Sequence, residues 1–299
     1  MIGFLFRAAS LLLMNKTVKN IDVAASYDKV CKKYEQYFLS IMHRHNDKVL
    51  SLLVNKIREK HGLQSGHRMQ VLDLACGTGY NTKYLLNQGI DADYTLVDLS
   101  KGMLSVAREQ GMDSSRMSYV NKDMLSFLKD CPKESFHIVI CMWAIKYQPP
   151  KKVIRECKRV LKKDGLMAVI VNTSDTLPQM RRLYPRLILH NWRRIKKIMF
   201  DLPNPKNKKE FGKWFTKAGF SILELCAGRQ TFQFKNAKKL VEFLNSTGAL
   251  AGYDDMLDLR NSEVQKQMVS YFHKKNVSKA EHFYVFGLFK KEGRYHEAN

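Results

Sequence analysis

The chain has 299 residues, 45% of them hydrophobic and 26% charged, with 7 prolines and no low-complexity tract; it is long enough for a large domain with a buried sheet, and a disordered or collagen-like polypeptide is excluded. Its 51 Lys and Arg against 28 Asp and Glu give a net charge of +23, which favours polyanions, acidic proteins, anionic membranes or small acidic substrates without choosing among them. The 6 cysteines are scattered with no C-x-x-C pair and no Cys/His cluster of metal-ligand spacing, so neither zinc nor a disulfide framework is expected and a reducing compartment follows.

In chain order, residues 1–20 read as a poorly ordered leader. They contain no acid, carry Arg7, Lys16 and Lys19, and include an apolar stretch, Ala8 to Met14, too short to span a bilayer. A cytoplasmic protein is expected, with a mitochondrial presequence as the alternative. Residues 21–66 carry apolar side chains at helical spacing, as in Tyr34, Tyr37, Phe38 and Ile41, and predict N-terminal lid helices.

Residues 67–173 then alternate short buried strands with helices: MQVLDLACG, a helix from Asn81 to Asn87, YTLVDLS, a helix from Lys101 to Gln110, MSYVNKD, a helix from Leu125 to Lys129, HIVICMWAI, a helix from Lys151 to Leu161, and LMAVIVNT. Parallel strands need crossover connections, so this alternation predicts a doubly wound α/β fold with helices on both faces and ligands at the carboxyl ends of the strands. Residues 174–209, with prolines at 178, 185, 203 and 205, read as a basic substrate-cap insertion. Residues 210–299 complete a mostly parallel seven-stranded sheet through SILELCAGRQTFQF and an antiparallel HFYVFGLFKK, with a second helical insertion at 236–276.

The strongest chemical signal is V-L-D-L-A-C-G-T-G-Y, Val71 to Tyr80. An apolar strand ends in a turn at Ala75 whose Gly77 and Gly79 permit positive φ and close backbone approach, and the following helix offers unpaired N–H groups. No third glycine opens that helix, so the G-x-G-x-x-G dinucleotide spacing is absent. Asp73, inside the strand, suits the ammonium of a methionine moiety, directly or through water. Asp98 ends the second strand 25 residues later, where an acid accepts ribose hydroxyls, with Leu99 and Met103 flanking an adenine. Ser100 can cap the helix that follows. Asp123 and Met124 end the third strand; Asp123 either accepts the adenine amine or caps the helix at Leu125. Cys141 and Trp143 reach the carboxyl edge on the fourth strand, where Cys141 is either near the sulfonium or an inert core thiol.

The order V-L-D-L-A-C-G-T-G, V-D-L-S, N-K-D-M and the Asp164-Gly165 pair resembles the class I S-adenosylmethionine-dependent methyltransferases over about half the chain, and implies a Rossmann-like fold and that cofactor. The segments S-Y-D-K-V-C-K-K-Y-E-Q-Y, N-T-S-D-T-L-P-Q-M, F-L-N-S-T-G-A and Y-V-F-G-L-F-K-K are similar to malonyl-carrier-protein O-methyltransferases and trans-aconitate methyltransferases, which esterify carboxylates. That similarity implies Tyr27 and Tyr34 as residues over the cofactor. The fourth strand, C-M-W-A-I-K-Y-Q, departs from the malonyl enzymes.

Methyl transfer from a sulfonium is an in-line displacement that needs alignment rather than a protein nucleophile. A carboxylate acceptor needs no general base; for an amine or phenol acceptor, His137, Tyr147 and His190 are candidates. Arg181 to Lys217 holds 12 Lys or Arg against 2 acids, and Arg181, Arg182 and Arg186 either clamp an acidic acceptor or form a solvated face. The expectation is a methyltransferase acting on a small or carrier-bound carboxylate, using no metal, with Tyr27, Tyr34, Trp143, Tyr147, Arg181 and Arg182 as catalytic candidates. The alternatives are a small-molecule N- or O-methyltransferase, an RNA methyltransferase using the basic surface, and a cofactor-binding scaffold.

Overall fold

Successive residues of a strand point to opposite faces, and here both sets are apolar, so the strands must be covered on both sides. The computed structural model describes residues 2–31, 40–60, 68–112, 114–246 and 250–293 and contains this arrangement. Seven strands, β1 (Met69–Leu74), β2 (Ala92–Asp98), β3 (Met117–Asn121), β4 (Phe136–Met142), β5 (Leu161–Asn172), β6 (Phe220–Gln233) and β7 (Lys279–Lys291), lie in the order β3-β2-β1-β4-β5-β7-β6. The pairs β1–β2, β2–β3, β1–β4 and β4–β5 are parallel, and β7 runs antiparallel to β5. This is the expected doubly wound, mostly parallel sheet with its antiparallel late strand.

Alternate residues sort the core into two layers. Leu72, Leu74, Val139, Cys141, Met167 and Val169 pack with the helices Met124–Asp130, Pro150–Val160 and Lys208–Thr216. Their neighbours Val71, Ile138, Ile140, Ala168 and Ile170 pack on the other face with Tyr80–Asn87, Lys101–Arg108 and the long helix Ser40–Lys60. Strand order reverses between β1 and β4, because β1 leads out to β2 and β3 on one side while β4 enters on the other. Such a switch point opens a crevice at the carboxyl ends of the two strands.

The chain divides into two units. One, holding this core, gathers residues 41–174, 203–228 and 284–299. The helix Ser40–Lys60, read from sequence as part of a lid, belongs to it: Val49, Leu50, Leu53, Val54 and Ile57 are buried in the same cluster as β1. The other unit gathers residues 1–40, 175–202 and 229–283. Within it the expected leader is a helix, Ile2–Leu13, anchored by the buried Leu11 and by Arg7, which donates to the Ile195 carbonyl at 3.0 and 3.2 Å. The segment read as a basic insertion contains the helix Pro178–His190, with Pro178 in the first turn, where its missing N–H costs nothing. Tyr184 Oη donates to the Tyr253 carbonyl at 2.9 Å, tying that helix to the second insertion, which forms the helices Ala237–Ser246, Tyr253–Met256 and Ser262–Lys274. No helix among the described residues is long and apolar enough to cross a membrane.

Candidate active site

The crevice at the switch point is built from the turn after β1. Ala75, Gly77 and Gly79 all have positive φ, at 58°, 55° and 81°. The two glycines are there for different reasons. A Cβ on Gly77 would meet nothing within 4 Å, so this residue leaves its front face open. A Cβ on Gly79 would sit 3.2 Å from both Ala107 Cβ and Met112 Cε, so this one lets the turn pack against the neighbouring helix.

Asp98, at the end of β2, organises the turn. Its Oδ2 accepts from the Gly77 N–H at 2.9 Å and its Oδ1 from the Ser100 N–H at 2.8 Å. Ser100 Oγ in turn accepts from the Met103 N–H at 3.0 Å and caps the helix Lys101–Arg108, which frees Asp98 from capping. Asn121 Nδ2, from the end of β3, donates to the carbonyls of Asp98 and Leu99 at 3.0 and 2.9 Å and holds that peptide in place. Leu99 is half-buried beside it, while Met103 and Met124 are buried. Asp123 does cap its helix: Oδ1 accepts from the Leu125 and Ser126 N–H groups at 3.0 and 3.1 Å, and Oδ2 accepts from Gln148 Nε2.

Beneath the turn lies a buried polar chain. Asp73 is fully buried, and Thr82 Oγ1 donates to its Oδ2 at 2.9 Å while Asn81 Nδ2 reaches its Oδ1 at 3.4 Å. Asn46 Nδ2 donates to Asn81 Oδ1 at 2.9 Å, and Trp143 Nε1 donates to Asn46 Oδ1 at 2.7 Å. Burial pushes the Asp73 carboxyl up to about 6 against the bonds from Thr82 and Asn81, with the charge of Asp98 pushing the same way. Trp143 itself has φ 63°, a strained value for a bulky residue, and its N–H donates to the Ile170 carbonyl at 2.7 Å.

The helix Ser40–Lys60 supplies more of this edge. His45 Nδ1 and Tyr284 Oη are 2.7 Å apart, and Tyr80 Oη donates to Asp47 Oδ1 at 2.7 Å. His43 stacks on Tyr80 with ring centroids 3.4 Å apart, and burial lowers its pKa to about 4, so it stays neutral at physiological pH.

Lys146 stands three residues past Trp143, on the short turn Ile145–Tyr147 after β4. It is 7% exposed, no carboxylate pairs with it among the described residues, and its Nζ lies 5.2 Å from the centroid of the Tyr147 ring. Burial alone brings its pKa down to about 8. A buried cation without an acid is costly to keep, and such groups concentrate at functional sites.

The other candidates read from the sequence are distributed through the fold. Cys141 is a core thiol, fully buried on the face of β4 that packs against the helix Pro150–Val160, and burial drives its pKa far up. His137 is the second residue of β4, at the opposite end of the strand from the crevice, where Nδ1 accepts from the Gln70 N–H at 2.9 Å. Arg181 and Arg182 lie on the solvated side of their helix, whose inner side is Met180, Leu183, Tyr184 and Leu187; Arg181 faces Asp175 at 3.9 Å. Arg186 lies over the Tyr271 ring, and His190 is the exposed last residue of the same helix. Tyr27 is half-buried near the end of the helix Asn20–Asp28, Tyr147 is half-buried against the core, and Tyr34 lies outside the described residues. Asn46, Asn81, Thr82, Asn121 and Lys146 are additions that sequence reasoning did not single out.

Fold and turn together resemble those of methyltransferases. Residues 71–165 match the family described as Methyltransferase domain, and the protein is an enzyme of the class I methyltransferase fold. It is 25% identical over 241 residues to a malonyl-[acyl-carrier protein] O-methyltransferase of Acetivibrio thermocellus, covering 75% of this chain and 79% of that relative. A demethylmenaquinone methyltransferase of Staphylococcus haemolyticus is 22% identical over 241 residues, covering 79% and 89%. Among solved structures, the YcgJ protein of Bacillus subtilis shares the fold with a TM-score of 0.53 at 16% identity, covering 83% of this chain and 99% of that one.

Proposed function

We propose that this enzyme transfers a methyl group from S-adenosylmethionine to a small or carrier-borne acceptor bearing a carboxylate. The observation that carries the acceptor class is Lys146, a buried ammonium with no acid beside it among the described residues. An acidic acceptor would supply the missing charge, and the similarity to a malonyl-carrier O-methyltransferase supports the same class.

The residues present fit the cofactor. The open face of Gly77 leaves room for a ligand against the backbone, and Asp98 beside it would accept from ribose hydroxyls. Leu99, Met103 and Met124 would line the adenine, and the Asp73 carboxylate would favour the ammonium of the amino-acid portion. When bound, the cofactor supplies an electrophilic methyl group on a sulfonium.

What remains for the chain is positioning. One carboxylate oxygen of the acceptor would pair with Lys146 Nζ, which would leave the other oriented toward the methyl group that the cofactor would supply. The carboxylate is already ionised at neutral pH, so no proton has to leave and no general base is needed. Trp143, locked by Asn46, would form a rigid wall near the reacting groups.

The test is a screen of acidic metabolites, acyl-carrier thioesters, amines, phenols and RNA, read by release of S-adenosylhomocysteine. Turnover confined to carboxylates supports the proposal. Turnover of amines, phenols or RNA with none of acids rejects it.

A further inference from the structure

The first helix presents an outer face with no polar residue on it. Within Ile2–Leu13, the exposed positions are Leu5, Phe6, Ala9, Leu12 and Leu13. At 100° per residue they fall within an arc of about 120°, opposite the buried Leu11. The only charged side chain of the helix, Arg7, is turned inward to the Ile195 carbonyl. A helix packed on a protein surface normally shows charge to water; here Phe6 is 73% and Leu13 89% exposed.

The apolar surface extends beyond the helix within the same unit. Residues 16–18 bond to Ile198 on both sides, through Ile198 N–H to the Lys16 carbonyl and Val18 N–H to the Ile198 carbonyl, each at 2.9 Å. Met14, Ile21, Leu189 and Phe200 on these two segments are also exposed, so 8 of the 9 exposed large apolar side chains among the described residues fall within 5–21 and 189–200. The same segments expose Lys16, Lys19, Arg193, Arg194 and Lys196 and no acid, while beside them the exposed acids are Asp201, Glu263 next to Arg193 and Arg194, and Asp258 next to Lys196.

We propose that this face is a membrane-docking surface, with the helix Ile2–Leu13 lying in the plane of an anionic bilayer and the surrounding lysines and arginines at the headgroups. An apolar stripe bordered by cations is the pattern of an interfacial helix. A second copy of the chain is a poorer occupant, because pairing this face with itself would oppose two cationic borders on molecules of net charge +23. The helix rests on the surface and does not cross it, since no described helix is long and apolar enough to span.

The experiment is cosedimentation of the full-length protein with vesicles of phosphatidylcholine mixed with phosphatidylserine, and with phosphatidylcholine alone. The expected result is binding to the mixed vesicles that weakens as salt is raised. Phe6→Glu combined with Leu13→Glu should lower vesicle binding by about tenfold or more without changing Tm, since both side chains already face water. Lys16→Glu combined with Lys19→Glu should lower binding to the mixed vesicles while leaving the apolar face intact. Absence of binding to the mixed vesicles, or binding unchanged by both pairs of substitutions, would overturn the proposal. So would dimerisation abolished by Phe6→Glu in a protein that ignores lipid.

Discussion

Trp143 Nε1 donates a 2.7 Å hydrogen bond to Asn46 Oδ1 across 97 residues of sequence, joining the end of β4 to the helix Ser40–Lys60. Asn46 passes the connection on to Asn81 and so to Asp73 beneath the glycine turn. The amide of Asn46 therefore ties the Trp143 indole, the turn and the outer helix into one polar chain.

Breaking that chain should be costly in a diagnostic way. Asn46→Leu leaves the indole N–H and the Asn81 carbonyl without partners, and should lower stability by about 1–3 kcal/mol. It should also lower kcat more than it raises the KM of the methyl donor, because Trp143 loses its fixed orientation. Thermal denaturation together with steady-state kinetics checks this; an unchanged Tm would show that the chain contributes nothing.

Lys146→Met should separate stability from function. The folded state lowers the Lys146 pKa from 10.5 to about 8, so the fold disfavours the charged form. That penalty is complete below about pH 8 and is relieved as pH rises from there toward 10.5. At pH 7 the methionine variant should be more stable by about 1–3 kcal/mol, while its KM for an acidic acceptor rises steeply. In the wild type, that KM should rise about tenfold at pH 9 as the ammonium loses its proton, and Lys146→Gln should flatten the dependence. Chemical denaturation and a KM–pH profile on both proteins supply the readout.

The carboxyl of Asp73 should make donor binding sensitive to acid. With its pKa raised to about 6, Asp73 is mostly ionised above that pH and mostly protonated below it. Affinity for S-adenosylmethionine should therefore fall by about tenfold at pH 5 relative to neutral pH, if the ammonium needs the ionised form. Titration calorimetry across this range measures it, and a flat profile would remove Asp73 from ligand recognition.

The two glycines of the turn should respond differently to alanine. Gly77→Ala should cost only about 1–2 kcal/mol of stability for its positive φ but should block the ligand, because its new methyl fills the open face. Gly79→Ala adds a clash with Ala107 and Met112 to the same backbone cost and should destabilise by about 2–4 kcal/mol. Comparing Tm with donor affinity for each variant distinguishes a ligand-facing glycine from a packing one.

The strands, their parallel order and the glycine turn were legible because each is encoded locally: apolar runs separated by helical segments, then G-T-G at the end of the first strand. The antiparallel β7 followed from a late strand with nowhere else to close the sheet. Cys141 was harder, since β4 is apolar at every position from Ile138 to Met142 and alternation does not say which face meets the crevice. For Arg181 and Arg182 the signal was present: Met180, Leu183, Tyr184 and Leu187 are at helical spacing and leave both arginines outside. Prolines at 178 and 185 obscured it, although the first is compatible with a helix start. Asn46 carried no local mark, because its partners come from distant parts of the chain. Lys146 looked like one more cation in a basic protein until burial set it apart.

Titration calorimetry of the purified protein with S-adenosylmethionine and with S-adenosylhomocysteine, repeated on Asp98→Ala, bears most directly on the whole account. Saturable binding of one nucleoside ligand per chain, lost in Asp98→Ala while the variant remains folded, is the expected result. No heat from the wild type with either ligand, or full affinity retained in Asp98→Ala, would contradict it.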